Sequence, residues 1–350
     1  MTQLFDNKFQ QNIISNQEDK ILPDPNISIV MAYHNRKDQT ITTLDTISKS
    51  NIKNFEVIIV DDGSDEEHSL KNIISNYYFK IKLLVIKKNQ KTWSNSCVPY
   101  NIGFKLAKGN IIIIQNPEVS HIGDVIKYVS DNIHDGKYMV FSVFSSPSFE
   151  HNNIYNDIKC YDKNYVYNNF VEKINYDDYK FDYNFYKNKY PDISNLNLTD
   201  ALFHWKTIGS IEKRICNEAK LYYCDAYAKW KGWYNHPSYN NRQLHFLSAI
   251  TKNDLNKIGG FNNSFQNGLW YEDKEFLYRV NKICCVENIG TDNCFGIHLY
   301  HENGSATHNS KKLRSLTIKN KYIYKKICKN IIFVNIGDKN EYEKYELFEN

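Results

Sequence analysis

The sequence predicts an α/β fold, a mostly parallel sheet flanked by helices with an inserted helical subdomain, and three observations carry that prediction. Ile27 to Arg36 and Phe55 to Ser64 are apolar runs that end abruptly in polar residues, the pattern of strands buried on both faces of a parallel sheet. Between them, Asp38 to Ser50 places Ile41, Leu44 and Ile47 at helical spacing, and Asn51 to Asn54 form a polar break. Strand, helix and strand in that order make a right-handed crossover unit, whose ligands bind beyond the carboxyl ends of the strands. Asp61 and Asp62 sit at that edge. Asp-Asp-Gly-Ser also serves simply as a turn that closes a strand and caps a helix.

The elements that follow extend the sheet. Leu83 to Ile86 reads as a third strand, Tyr100 to Lys108 as a helix, and Ile111 to Ile114 as a fourth strand running into Gln115-Asn116-Pro117-Glu118. Residues 150–225 are dense in Tyr, Asp, Asn and Lys; within them Tyr183 to Asp192 and Thr199 to Gly209 read as short helices. His245 to Ile250 is apolar enough to re-enter the sheet.

Composition bounds the function. With 350 residues the chain can bury a full core, and a net charge of +4 with scattered lysines gives no reason to expect a nucleic-acid partner. No apolar segment approaches the roughly 20 residues of a membrane-spanning helix, and Met1 to Lys20 is too polar for a signal peptide, so the expectation is a cytoplasmic protein. The eight cysteines lack zinc-pair spacing and are too sparse for a disulfide scaffold, which predicts reduced, mostly buried thiols. No Gly-x-Gly-x-x-Gly follows the first strand, which argues against a dinucleotide-dependent oxidoreductase.

The order of parts resembles the GT-A glycosyltransferases, Rossmann-like enzymes, and in particular the family-2 type that uses nucleotide-diphosphate sugars. One strand ends in Tyr33-His34-Asn35-Arg36 and the next in Asp61-Asp62-Gly63-Ser64. Asn101-Ile102-Gly103 and Ala107-Lys108-Gly109 lead into a strand and an acidic turn. The resemblance covers residues 26–145 and returns over 255–305 through Gly259-Gly260-Phe261 and Trp270-Tyr271-Glu272-Asp273. It implies a nucleotide-binding half at 26–149, an insertion at 150–225 and an acceptor and catalytic half at 226–310, between extensions at 1–25 and 311–350.

What the resemblance implies about the site can be stated residue by residue. Asp62 takes a base imide or ribose hydroxyl, with Ala32, His34 and Arg36 lining the same pocket; His34 stacks on the base or else caps the strand, and Trp93 closes over the nucleotide or else packs on the sheet. The family's Asp-x-Asp turn reads Asn116-Pro117-Glu118 here, leaving Glu118 as the carboxylate for a divalent cation, Mn2+ or Mg2+, and Asn116 for ribose or a metal-bound water. Asp273 matches the base that takes the acceptor proton in an inverting transfer, with Glu272 beside it for substrate hydroxyls. An acid-rich helix start is the competing structural reading. Strand alternation puts His298 and His301 on opposite faces, so His301 is expected at the metal and His298 is second choice. Trp233, Tyr234, His236, Trp270 and Tyr271 are expected to contact the acceptor; an aromatic packing corner is the alternative for the first three.

The expected function is metal-dependent transfer from a UDP-sugar to a hydroxyl of a glycan or glycoprotein. The alternative, motivated by Asn116-Pro117-Glu118, is a binding module that kept the fold without turnover. Residues 150–225 and 311–350 are the expected surfaces for peripheral or homo-oligomeric contacts; the locally basic run Lys319 to Lys329 reads as a solvated helix face, with membrane-surface contact as the alternative.

Overall fold

A computed structural model of the chain describes residues 13–15, 24–147, 151–152, 162–174, 180–209, 212, 214–218, 225–301 and 310–329. Its strands are β1 Ile13–Ser15, β2 Ile27–Tyr33, β3 Phe55–Asp61, β4 Lys80–Val85, β5 Ile111–Gln115, β6 Val119–Ile122, β7 Lys137–Phe141, β8 Val143–Ser145, β9 Trp233–Asn235, β10 Leu247–Thr251, β11 Cys285–Ile289 and β12 Phe295–His298. Its helices are α1 Lys37–Ser48, α2 Cys97–Leu106, α3 Val125–Asn132, α4 Lys163–Val166, α5 Tyr183–Lys189, α6 Leu198–His204, α7 Asp225–Trp230, α8 Lys252–Ile258, α9 Glu272–Ile283 and α10 Ser310–Lys329.

The main sheet runs β1-β4-β3-β2-β5-β10-β7-β11. Strands β4, β3, β2 and β5 pair in parallel, as do β7 and β11, while β10 lies antiparallel between β5 and β7. The two opening runs are therefore central strands, β3 buried throughout and β2 at all but Ala32. Alternate residues of β2 serve opposite faces. Ile27, Ile29 and Met31 pack with Leu44 and Ile47 of α1 and Val125 and Val129 of α3. Val30 joins Ile58 and Val60 against Phe104 of α2 and Phe276 of α9. Gly103 lets α2 press onto the sheet, because a Cβ there would collide with the Val30 side chain.

A smaller sheet, β6-β12-β8-β9, branches where β5 passes into β6 through Asn116-Pro117-Glu118 and where β7 passes into β8. Strand β12 pairs antiparallel with β6 and parallel with β8. The described parts of 150–225 are short helical turns, and Tyr186, Ile193, Trp205 and Cys216 form a separate small core among them. Of the cysteines, Cys97, Cys216, Cys284 and Cys294 are buried free thiols, whereas Cys285 is exposed and Cys328 intermediate. Among the described residues no helix is long and apolar enough to cross a membrane.

One buried carboxylate ties strands β2, β3 and β4 together. Glu56 of β3 has no exposed surface; it accepts from Ser28 Oγ of β2 and the Lys108 backbone N–H, both at 2.7 Å, and pairs with Lys82 Nζ of β4 at 2.8 Å. Ser28 Oγ in turn accepts from Gly109 N–H at 2.8 Å, anchoring the turn that enters β5. Removing one partner of such a buried pair leaves the other uncompensated. Glu56→Ala should therefore lower unfolding free energy by about 3 kcal/mol in urea titrations, and a loss below about 1 kcal/mol would show that the network contributes little.

Candidate functional site

The carboxyl ends of β2 and β5 open onto a cleft of about 790 Å3. Ala32, His34, Arg36, Tyr100, Asn116, Glu118 and His301 line it together with Tyr234, Arg242, Trp270, Tyr271, Glu272 and Asp273. The two motif groups, remote in sequence, thus meet across one cavity.

Glu118 occupies the corner where the two sheets join. Its Oε1 lies 3.4 Å from His298 Nε2 and 3.5 Å from His301 Nε2, and the two rings are 5.2 Å apart. Among the described residues these three form a group whose ligand atoms lie within 4.8 Å of one another. The expected choice between the histidines is thereby corrected. Strand β12 ends at His298, so period-2 alternation stops there, and the chain turns to bring His301 to the same carboxylate. Asn152 and Gln39 fix that turn: Asn152 Oδ1 accepts from Tyr300 N–H at 2.8 Å, and Tyr300 O accepts from Gln39 Nε2 at 3.1 Å. Burial alone would raise the Glu118 carboxyl, but the two imidazoles hold it well below the usual carboxylate range. Burial pushes His298 down despite the facing carboxylate. An ionised carboxylate beside a neutral imidazole is the protonation pattern that a divalent cation requires of its ligands, so this donor set fits such a cation.

At the strand ends, Asn35 adopts a left-handed backbone (φ 51°) and stitches the two loops together. Its N–H donates to Ser64 Oγ at 3.0 Å, its Nδ2 to Asp65 Oδ2 at 2.7 Å, and its Oδ1 accepts from Asp65 N–H at 2.8 Å. His34 is pushed down to about 4 by burial, then by the charges of Lys91 and Arg36, which makes it a neutral ring on the cleft wall. Tyr100 Oη donates to Gln115 O at 3.0 Å and to Asn116 Oδ1 at 3.2 Å, holding the turn before Glu118.

Asp62 and Trp93 stand differently from the expectation. Neither lines the cleft. Asp62 Oδ1 accepts from the Trp93 indole N–H at 2.8 Å, and Oδ2 pairs with Lys91 Nζ at 2.6 Å. The physical reason is the buried indole: its N–H needs an acceptor, and Asp62 supplies it. Trp93 is thus a packed side chain rather than a flap, and Asp62 holds it and Lys91 in place.

Glu272 begins α9, directly after Trp270 and Tyr271, both in the left-handed region (φ 62° and 74°). Its Oε2 accepts from Asn95 Nδ2 at 2.8 Å. Burial, then the charge of Asp273, raises its carboxyl to about 7. Asp273 is half-buried on the cleft wall, with Oδ1 accepting from the Lys274 N–H at 2.6 Å. Gly259-Gly260-Phe261 supports this wall from behind. Asn101 Oδ1 accepts from Phe261 N–H at 2.8 Å, its Nδ2 donates to Phe261 O at 2.7 Å, and a Cβ on Gly260 (φ 75°) would sit 2.6 Å from Asn101 Oδ1.

Of the expected acceptor contacts, Tyr234, Trp270 and Tyr271 line the cleft, whereas Trp233 and His236 do not. Trp233 faces the interior of the smaller sheet, 5.0 Å from Phe144, and His236 lies over it at 4.5 Å. Alternation along β9 decides this for Trp233, since Tyr234 is one residue on and faces the other way, whereas His236 lies past the end of the strand, bridged to Asn240. The packing-corner alternative holds for Trp233 and His236. Sequence reading missed Arg242 and Trp230, which stack at 5.2 Å on the cleft wall; cation–π contact between the last residue of α7 and a residue 12 positions on, beyond β9, leaves no periodic signal.

Residues 28–192 match the model of the family described as Glycosyl transferase family 2. Over 92 residues the chain is 33% identical to the amylovoran biosynthesis glycosyltransferase AmsB of Erwinia amylovora, covering 26% of this chain and 30% of that protein. Over 123 residues it is 27% identical to the poly(ribitol-phosphate) beta-N-acetylglucosaminyltransferase TarP of Staphylococcus aureus, covering 33% and 37% respectively. The chain thus spans about a third of the length of the curated relatives that it matches. Among solved structures, S. aureus TarS 1–349 in complex with UDP-GlcNAc aligns over 81% of this chain and 61% of that one, at 11% identity and a TM-score of 0.42.

The Glu272 environment has a measurable consequence. Its folded-state value lies above the ordinary 4.5, so folding favours the neutral acid; that contribution is complete below about pH 4.5 and is lost as pH rises through about 7. Wild-type stability should fall relative to Glu272→Gln by on the order of 3 kcal/mol across that window, read by urea unfolding at stepped pH. A pH-independent difference would exclude a raised Glu272.

Proposed function

We propose that this chain, whose residues 28–192 match the model of Glycosyl transferase family 2, moves a sugar from a nucleoside diphosphate sugar, with UDP-sugars the donor class, to a hydroxyl of a glycan or glycoprotein. The observation that carries the reading is that Glu118 and His301, grouped with His298, line the same cleft as the carboxylates Glu272 and Asp273. A cation-ligating set and a base across a single cavity are what displacement of a nucleoside diphosphate needs.

In this reading the neutral His34 ring and Ala32 receive the base, and Arg36 faces the diphosphate. Asn116, oriented by Tyr100, contacts ribose or a metal-bound water. Glu118, His298 and His301 would hold a divalent cation, with Mn2+ the ion we assign, and it would neutralise charge developing on the leaving diphosphate. Asp273 takes the proton of the acceptor hydroxyl as that oxygen attacks the anomeric carbon from the face opposite the leaving group, which inverts the centre. Glu272, buried and held by Asn95, binds substrate hydroxyls as the largely protonated partner below about pH 7. Tyr234, Trp270 and Tyr271 offer apolar faces to the acceptor sugar.

UDP at about 100 times its Kd should stabilise the protein by about 2.7 kcal/mol in thermal-shift assays, only with manganese present, and Glu118→Ala should abolish the effect. Metal-independent stabilisation, or none by any nucleotide, would remove the donor assignment. Asp273→Asn should cut turnover of the UDP-sugar by about 10²- to 10⁴-fold while leaving UDP binding intact. Donor binding without turnover in the unmodified protein would favour a binding module instead.

A further inference from the structure

We propose that Asn320, on the C-terminal helix α10, is a positioning residue that sets the loop presenting Trp270 and Tyr271 to the cleft and, through it, the start of the helix bearing Glu272 and Asp273. The activity part of this inference rests on the proposed transferase reading; its structural part does not.

Two consecutive bulky residues in the left-handed region are costly and persist only where their surroundings enforce them. Trp270 is 55% exposed, so packing of its side chain does not enforce the conformation. Polar contacts from α10 do. Asn320 is completely buried, and its Nδ2 donates to Phe265 O at 3.1 Å and to Trp270 O at 2.9 Å, bracketing the loop at both ends. One turn earlier on the same helix, Leu316 O accepts from Leu269 N–H at 3.2 Å. Gly268 lies against the Asn320 carboxamide, where any Cβ would collide with it.

The buried amide makes sense only with the loop in this shape. Asn320 Oδ1 has no hydrogen-bond partner, so the two loop carbonyls are what offset the cost of burying the carboxamide. On the opposite side the loop is held from the nucleotide half, where Ser94 N–H donates to Gln266 O at 2.9 Å and Ser94 Oγ to Gly268 O at 3.3 Å. Asn95, the next residue, binds Glu272. The loop is therefore clamped between the strand-end region and α10, and Asn320 supplies the outer jaw without itself lining the cleft.

The test uses the full chain and two variants. Asn320→Asp keeps the shape but replaces the donor with an oxygen facing two carbonyls, and Gly268→Ala leaves Asn320 in place but displaces its carboxamide. Acrylamide quenching of Trp270, isolated by subtracting the same variants in a Trp270→Phe background, reports the loop directly. Manganese-dependent UDP binding and turnover of UDP-GlcNAc by water or acceptor report the two halves of the site. Both variants should alter Trp270 quenching and lower turnover by about 10- to 100-fold, with the UDP Kd within about twofold of the parent. Unchanged quenching and turnover in either folded variant would overturn the proposal, as would a parallel loss of UDP affinity, the mark of a general structural defect. If the parent protein binds no UDP, the transferase reading fails, and the quenching result alone decides the role of Asn320.

Discussion

The corner at Glu118 is the constraint on which the rest of the molecule depends. A carboxylate buried in a protein needs polar partners, and Glu118 faces the ring nitrogens of His298 and His301, which reach it from the end of the strand that pairs with Glu118's own continuation, β6. The smaller sheet exists, in effect, to bring these groups together. Strand β12 lies between β6 and β8, and the Leu299 N–H donates to the Glu118 carbonyl at 2.8 Å, so backbone pairing sets the side-chain geometry before any ligand arrives.

Around that corner the cleft is built as two walls joined by buried amides rather than by apolar packing alone. Asn101 links α2 to Gly260 and Phe261, Asn95 links the loop before α2 to Glu272, and Asn320 links α10 to the loop ahead of Glu272. A carboxamide suits this task because it both donates and accepts, and its hydrogen bonds specify one arrangement of the chain. Asn35 does the same between the ends of β2 and β3. In a chain rich in asparagine, most such residues carry no sequence signal that separates these four from the surface ones.

The legible part of the fold was the part with strong periodicity. The runs at 27–33 and 55–61 read as central parallel strands because both faces are buried, and they are central. The re-entry near residue 245 was also legible as an apolar segment, but not that β10 would insert antiparallel between β5 and β7. At the site, Glu118, Asp273, Glu272, His34 and Arg36 all face the cleft from positions that local motifs marked. Asp62 and Trp93 did not behave as marked, since their mutual hydrogen bond spans 31 residues. Trp233 failed by parity, one residue from Tyr234 on the same strand.

By itself the amino-acid sequence determined which segments are strands, where they end, and which acids and histidines stand at those ends, because burial and chain breaks are local and leave a pattern in residue type. Only the tertiary structure decided that both histidines meet one carboxylate, that Asp62 is committed to Trp93 and Lys91, and that a helix at the far end of the described chain holds the loop before Asp273. Those outcomes depend on where a strand stops, which face a side chain takes and what a remote polar atom finds within hydrogen-bond reach. Such distances are set by the packed sheet and cannot be read from residue spacing.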